Sequence, residues 1–278
     1  MRSRRKDLKI PTGIPSLDPV LEGGVPPGSM ILLLGDIGSG ITDFVRTSAI
    51  SLVKLKTHRG SGGDSGFTGE VVYITVTRVK DDILGEVALS VNPEIYPILE
   101  EGVRFEDLSE IYFDSSIVPI EWYSEKADLL TRMHQHSHRD DILPTLAALL
   151  SETAPQSVII IDSLTELATM ADSQERWRGF TGFLHGLQRV AKRWGSVIYL
   201  PLAQGVLSRS HELEVMDSAD AVILFQWEEL QGMRRQRTMY FQKFRGVMPH
   251  LEERDLVKFA VRITPGNGFE VSNIRVVI

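Results

Sequence analysis

The stretch SMILLLGDIGSGITDFVRTSAISLVKL, Ser29 to Leu55, decides the fold. Ser29 to Asp36 is an unbroken apolar run that ends in a glycine turn, the pattern of a strand buried on both faces. From Thr42 to Leu55 the apolar residues Phe44, Val45, Ala49, Leu52, Val53 and Leu55 recur at helical spacing. Strand, glycine turn and helix are the setting in which G-x-x-x-x-G-K-[ST] binds phosphate. Backbone N–H groups cradle the anion, a lysine reaches the β and γ phosphates, and a hydroxyl helps to hold magnesium. Gly35, Gly38, Ser39, Gly40 and Thr42 keep that pattern, but Ile41 stands at the lysine position. The N–H groups and the helix dipole can hold an anion without the lysine. The lost charged donor is worth roughly 1.5–3 kcal/mol, about ten- to a hundredfold in affinity. Taken alone, the loop is equally a plain glycine turn between strand and helix.

Further along, EVVYITVT reads as a strand, Asp81 to Ser90 as a helix, the region around EIYFDSS as a strand, and Asp140 to Glu152 as a helix. SVIIID, Ser157 to Asp162, is a second buried strand, and a long helix from about Ser173 to Trp194 leads into the strand GSVIYLPLAQ. Such alternation requires a mainly parallel sheet between helices, because parallel neighbours need long crossovers. The C-terminal segments AVILFQW, RTMYFQKFRG, LVKFAVRITP and FEVSNIRVVI are strand-like with no helix expected between them, so antiparallel strands should finish the sheet. Trp177, Phe180, Phe183, Leu184 and Leu187 form an apolar stripe on the long helix that fits core packing. Asp162 ends its strand either as an acid that holds magnesium through water or as a turn and helix cap with Ser163.

The 278 residues carry 30 basic and 37 acidic side chains, a net charge of −7, and no cysteine. The charge argues against nucleic acid or an anionic membrane as main partner. The missing cysteines exclude disulfides, thiolate metal sites and cysteine nucleophiles. No apolar run is long enough to span a bilayer, and no signal-peptide core follows the basic residues at the start, so a soluble, cytoplasmic protein without membrane insertion is expected. His134 and His138 of HQHSH could ligate a metal if they share a helix face, but a solvated loop is the simpler reading. The basic turn GMRRQR, Gly232 to Arg237, suggests nucleic acid only weakly, since the segment QGVLSRSHE has a single arginine and no aromatic side chain for stacking.

TGIPSLDPVLEGGVPPGSMILLLGD closely resembles the entry segment of KaiC-like ATPases in the RecA superfamily. The resemblance continues in order through VVYITVTRVKDDILGE, IIIDSLTEL, FQKFRG and FAVRITPGNGFEV, from about Lys9 to Val271. It implies one RecA-like α/β domain over residues 9–278, and composition alone adds a basic tail at 1–8 and a glycine- and serine-rich mobile loop at 57–69. It also implies an archaeal type of protein, ATP and Mg2+ as ligands, and often a ring of six with nucleotide at the subunit interfaces. Residue by residue, Gly35, Gly38, Ser39, Gly40 and Thr42 match the phosphate loop, Thr42 and Asp162 match the magnesium groups, and Lys243 and Arg245 match a pair that reaches a neighbouring subunit's γ-phosphate.

The departures from the family are Ile41 and the strand end ITVTR, where Thr77 and Arg78 replace two glutamates, one of which activates water. Threonine cannot serve as that base, and arginine has the opposite charge. The resemblance therefore implies a pseudo-ATPase that binds ATP weakly or not at all and works in signalling or assembly. It would act through a protein partner, as a homo-oligomer or in a mixed ring with an active relative. Alternatives are an atypical active ATPase, with Arg46 or Arg78 replacing the loop charge, and a recombinase-paralogue-like DNA-binding protein. Arg78, if it points into the site, would favour nucleotide retention without turnover.

Overall fold

A computed structural model describes residues 9–57, 67–90, 96–123, 142–153, 155–230 and 234–273. The basic tail 1–8, residues 58–66 of the glycine-rich segment, His134 to His138 and part of the GMRRQR turn lie outside the described residues. At the two ends of the expected loop, Thr57 closes a helix and Phe67 is buried.

The strand β1 (Met30–Gly35) enters the helix α1 (Ile41–Thr57). There follow β2 (Val71–Thr75), α2 (Lys80–Ser90), α3 (Tyr96–Gly102), β3 (Val103–Asp107), α4 (Ser109–Asp114) and α5 (Ile142–Ser151). Then come β4 (Val158–Asp162), α6 (Leu164–Thr169), α7 (Gln174–Trp194), β5 (Val197–Ala203) and α8 (Arg209–Ser218). The chain continues with β6 (Ala221–Leu230), β7 (Arg234–Phe244), α9 (Met248–Glu253), β8 (Lys258–Thr264) and β9 (Gly268–Asn273). The nine strands of the described residues form one sheet in the order β3-β2-β4-β5-β1-β6-β7-β8-β9. The pairs from β3 to β6 are parallel and those from β6 to β9 antiparallel.

The central strands are apolar on both faces because both faces are covered. On β1, Ile31 and Leu33 join one core with Phe44 and Val45 of α1, whereas Met30, Leu32 and Leu34 join the other with Phe180 and Leu184 of α7. The α7 stripe is core, with Trp177, Phe180, Leu184 and Leu187 buried and Phe183 partly so. Ser173 caps α7 by accepting the Arg176 amide, and Gly195 ends it in the left-handed conformation that glycine adopts without strain.

Two expectations need correction. EIYFDSS is not a strand: Ser109 to Asp114 form α4, opened by the Ser109 amide donating to Asp107 Oδ1. The edge strand is instead β3, VRFED, pairing in parallel with β2. Its half-exposed, partly charged face hid it from a search for apolar runs. The C-terminal strands also do not follow one another without helix, since α9 lies between β7 and β8 and opens with a proline in its first turn.

Phe44 is fully buried, and its ring meets Tyr199, Phe225 and Phe269 edge to face at 5.3–5.6 Å. It ties α1 to both halves of the sheet. Phe44→Ala should cost about 3–5 kcal/mol in chemical denaturation, and a loss under about 1 kcal/mol would show that the ring is not the keystone described.

Candidate nucleotide site

The glycine loop sits at the C-terminal edge of the parallel strands, where open α/β sheets bind ligands. Its shape is enforced from outside. The Asp36 amide donates to the Phe225 carbonyl at 3.0 Å, and a Cβ on Gly35 would come within 2.2 Å of that oxygen. Gly38 and Gly40 have φ of +74° and +111°, and a Cβ on Gly40 would lie 3.2 Å from both Ile263 and Phe269. Ser39 is buried, its hydroxyl donating to the Asp36 carbonyl at 2.6 Å, so that side chain shapes the loop. Thr42 is exposed on the first turn of α1, and Ile41 packs partly buried against the core.

Asp162 ends β4, beside Thr75 of β2. Its Oδ2 accepts the Tyr73 hydroxyl at 2.5 Å. Burial and the Asp162 charge push the Tyr73 phenol well above its ordinary value, so Tyr73 remains the donor. Ser163 caps α6 by accepting the Thr165 amide. Both sequence readings of this corner are thus compatible, since Ser163 makes the cap and the Asp162 carboxylate remains an oxygen donor beside the loop strand's neighbours.

Arg78 follows β2 and forms an ion pair with Glu86 of α2, to which Arg46 of α1 is also bound. The hydrogen bonds from Arg78 and Arg46 hold the Glu86 carboxyl at about 2. The two arginines expected to replace the loop lysine are therefore tied to the same carboxylate. Arg46 is mostly buried, and its Nε has no partner among the described residues.

Sequence reasoning missed a third cation. Trp227 of β6 lies against the loop, its amide donating to Asp36 Oδ2 at 3.1 Å and its indole Nε1 to the Ile37 carbonyl at 3.3 Å. Arg237, its cross-strand partner on β7, stacks on the indole at 4.3 Å and donates from Nε to the Gly38 carbonyl at 2.9 Å. Arg235, two residues away on the same face of β7, lies over that ring at 5.0 Å. In the sequence these arginines read only as turn charge, because the pairing that carries them to the loop depends on hairpin register.

Lys243 and Arg245 are elsewhere. Lys243 Nζ donates to the Met216 and Asp217 carbonyls at 3.1 and 2.9 Å, and Arg245 donates to the Asp217 carbonyl at 3.0 Å. Both therefore bind the C-terminal end of α8, where the helix dipole favours cations. Burial and the nearby Arg245 charge lower the Lys243 ammonium from its ordinary value. Lys243 pairs with Val222 at the start of β6, whereas the loop meets that strand at Phe225. At about 3.3 Å per residue the pair lies some 10 Å down the sheet from its own loop. It is not part of the same site.

Strand, glycine loop and helix at the head of a sheet ordered β3-β2-β4-β5-β1, with an acid ending β4, define a RecA-type nucleotide-binding ATPase domain. The chain belongs to the KaiC ATPase family, whose model, described as "ATPase: KaiC", matches residues 10–274. A KaiC-like protein from the hyperthermophilic archaeon Pyrococcus horikoshii has a similar fold, with a TM-score of 0.57 and 20% identity, covering 95% of this chain and 98% of that one. The DNA repair and recombination protein RadA of Methanocorpusculum labreanum is 26% identical over 170 residues, 59% of this chain and 45% of RadA. The chain thus matches less than half the length of that relative. Among the described residues no helix is long and apolar enough to cross a membrane.

Because the folded Glu86 carboxyl sits at about 2, below its ordinary 4.5, the stability it contributes is complete above about pH 4.5 and is lost as pH falls toward 2. Glu86→Gln should shrink the acid loss of stability in that window. Unfolding midpoints at pH 7, 4 and 3 test this, and an unchanged acid profile would dismiss the shared ion pair as a determinant.

Proposed function

We propose that this KaiC-family chain is a regulatory or assembly subunit with a degenerate nucleotide site. It binds ATP and Mg2+ weakly or not at all and acts through contacts with neighbouring protein chains in signalling. The observation that carries this reading is the Arg46–Glu86–Arg78 ion pair at the end of β2. Where the family resemblance places a water-activating glutamate, this chain has a guanidinium bound to a carboxylate, which cannot take a proton from water.

The remaining groups suit a bound nucleotide in part. Gly38, Gly40 and Thr42 would contact phosphate, and Thr42 with Asp162 would hold magnesium, which when bound would neutralise phosphate charge. The location of Lys243 and Arg245, remote from the chain's own loop, supports a role across a subunit interface, in a ring of identical chains or a mixed ring with an active relative. A DNA-binding reading gains no support from the segment after β5: Arg209 begins α8 and pairs with the buried Glu212.

Calorimetric titration with ATP and magnesium, with phosphate release measured in parallel, tests the reading on the wild type and on Ile41→Lys. Wild-type binding should be about ten- to a hundredfold weaker than that of the variant, with no turnover in either. Sustained phosphate release by the wild type would sink the pseudo-ATPase reading. For the assembly, native mass spectrometry should find a complex that Lys243→Ala with Arg245→Ala weakens, and a monomer under all nucleotide conditions would refute it.

A further inference from the structure

We propose that Arg237, held on Trp227, supplies from the C-terminal hairpin the positive charge that Ile41 took from the phosphate loop, and that it binds the phosphate chain of a nucleoside triphosphate there. This rests on reading the loop as a nucleotide site and assigns its residual affinity to a residue from outside the loop motif.

The choice among the cations follows from their partners. Arg46 and Arg78 are engaged by Glu86, and Lys243 and Arg245 by the end of α8. Arg237 alone of these five touches the loop, through one hydrogen bond from Nε to Gly38. Its two terminal amino groups make no hydrogen bond among the described residues. An arginine anchored through Nε keeps a planar edge with which to grip two oxygens of a phosphate, which a lysine cannot do.

The mount is rigid. Trp227 is fixed to the loop by its amide and its indole N–H, and the stacked guanidinium at 4.3 Å moves with that ring. Arg237 also pairs in register with Trp227 on one side and Val261 of β8 on the other, so its strand is held within the sheet. Burial raises the Asp43 carboxyl on the first turn of α1, and the charges of Arg46 and then of Arg237 act against that rise, so the Arg237 charge is felt at that turn. A cation thus stands over the loop and the helix N-terminus together, where a loop lysine's charge would act.

Titration of the wild type, Arg237→Ala, Arg237→Gln, Arg237→Lys and Arg78→Ala with ATP and magnesium tests this, with adenosine binding followed by ligand-observed NMR. Arg237→Ala and Arg237→Gln should lose about ten- to a hundredfold in ATP affinity and leave adenosine binding unchanged. Arg237→Lys should recover part of the loss, and Arg78→Ala should stay within twofold of wild type. Arg237→Gln keeps a planar side chain and decides the matter if the alanine variant loosens the hairpin, which circular dichroism and thermal melts would reveal. ATP affinity unaltered in the Arg237 variants overturns the inference while leaving the loop's reading intact. Equal losses for ATP and adenosine also overturn it, since they would mark a contact to the base or a structural role. No detectable wild-type ATP binding overturns it too, and binding by Ile41→Lys in that case would leave the loop as a nucleotide site in relic form.

Discussion

The carbonyl of Phe225 receives the Asp36 amide and occupies the space that any side chain at Gly35 would need. That contact makes the loop leave β1 against β6. Gly40 turns against Ile263 and Phe269, and Thr47 of α1 accepts the Phe269 amide at 2.9 Å. The nucleotide loop is therefore moulded by β6, the last parallel strand, and by the antiparallel strands that follow it. Without them the glycines would have no surface to follow, and their conformational freedom would weaken the loop.

The same extension distributes charge. Its long hairpin carries Arg235 and Arg237 at the loop end of β7 and Lys243 toward the other end, with Arg245 just past it. At the far end Lys243 and Arg245 donate to carbonyls of α8, and Lys243 pairs with Asp217 and Arg245 with Asp220, a buried carboxylate that also binds Lys192, Gln188 and the Met30 amide. That network positions the start of β1 and the Lys243–Arg245 pair by shared bonds. An acidic chain with a net charge of −7 thus fixes cationic side chains near both ends of β7, those at the far end paired with carboxylates. The fold makes this local arrangement possible despite the overall sign.

Much of this was legible in the residues. The strand, loop and helix around Gly35 to Thr42, the strand ending at Asp162 and the long helix after Ser173 all carry strong apolar periodicity, and each lies where the pattern placed it. What escaped depends on tertiary geometry. The edge strand VRFED has one buried residue, Val103, and so lacks the apolar signal of its neighbours. Phe113 of α4 meets Tyr112 edge to face and Tyr123 at a tilt, which gives a helix the aromatic content of a strand. Trp227 and Arg237 meet because β6 and β7 pair in one register, and a slip of a single residue would turn Arg237 away from the indole.

Ile41 shows why the loop's departure has a physical logic beyond the loss of a charge. It packs against the core that also holds Ile263, and Ile263 lies within 3.2 Å of where a side chain on Gly40 would begin. A branched hydrocarbon here removes apolar surface from water, worth on the order of 1 kcal/mol for a half-buried side chain. A lysine at the same place would keep its stem on that surface and lift its ammonium toward the loop, where Arg237 already bonds Gly38. Two cations over one empty anion cradle repel each other in the absence of phosphate. Ile41 and Arg237 therefore belong to one arrangement, in which the hydrophobic residue stabilises the turn and the charge comes from the hairpin.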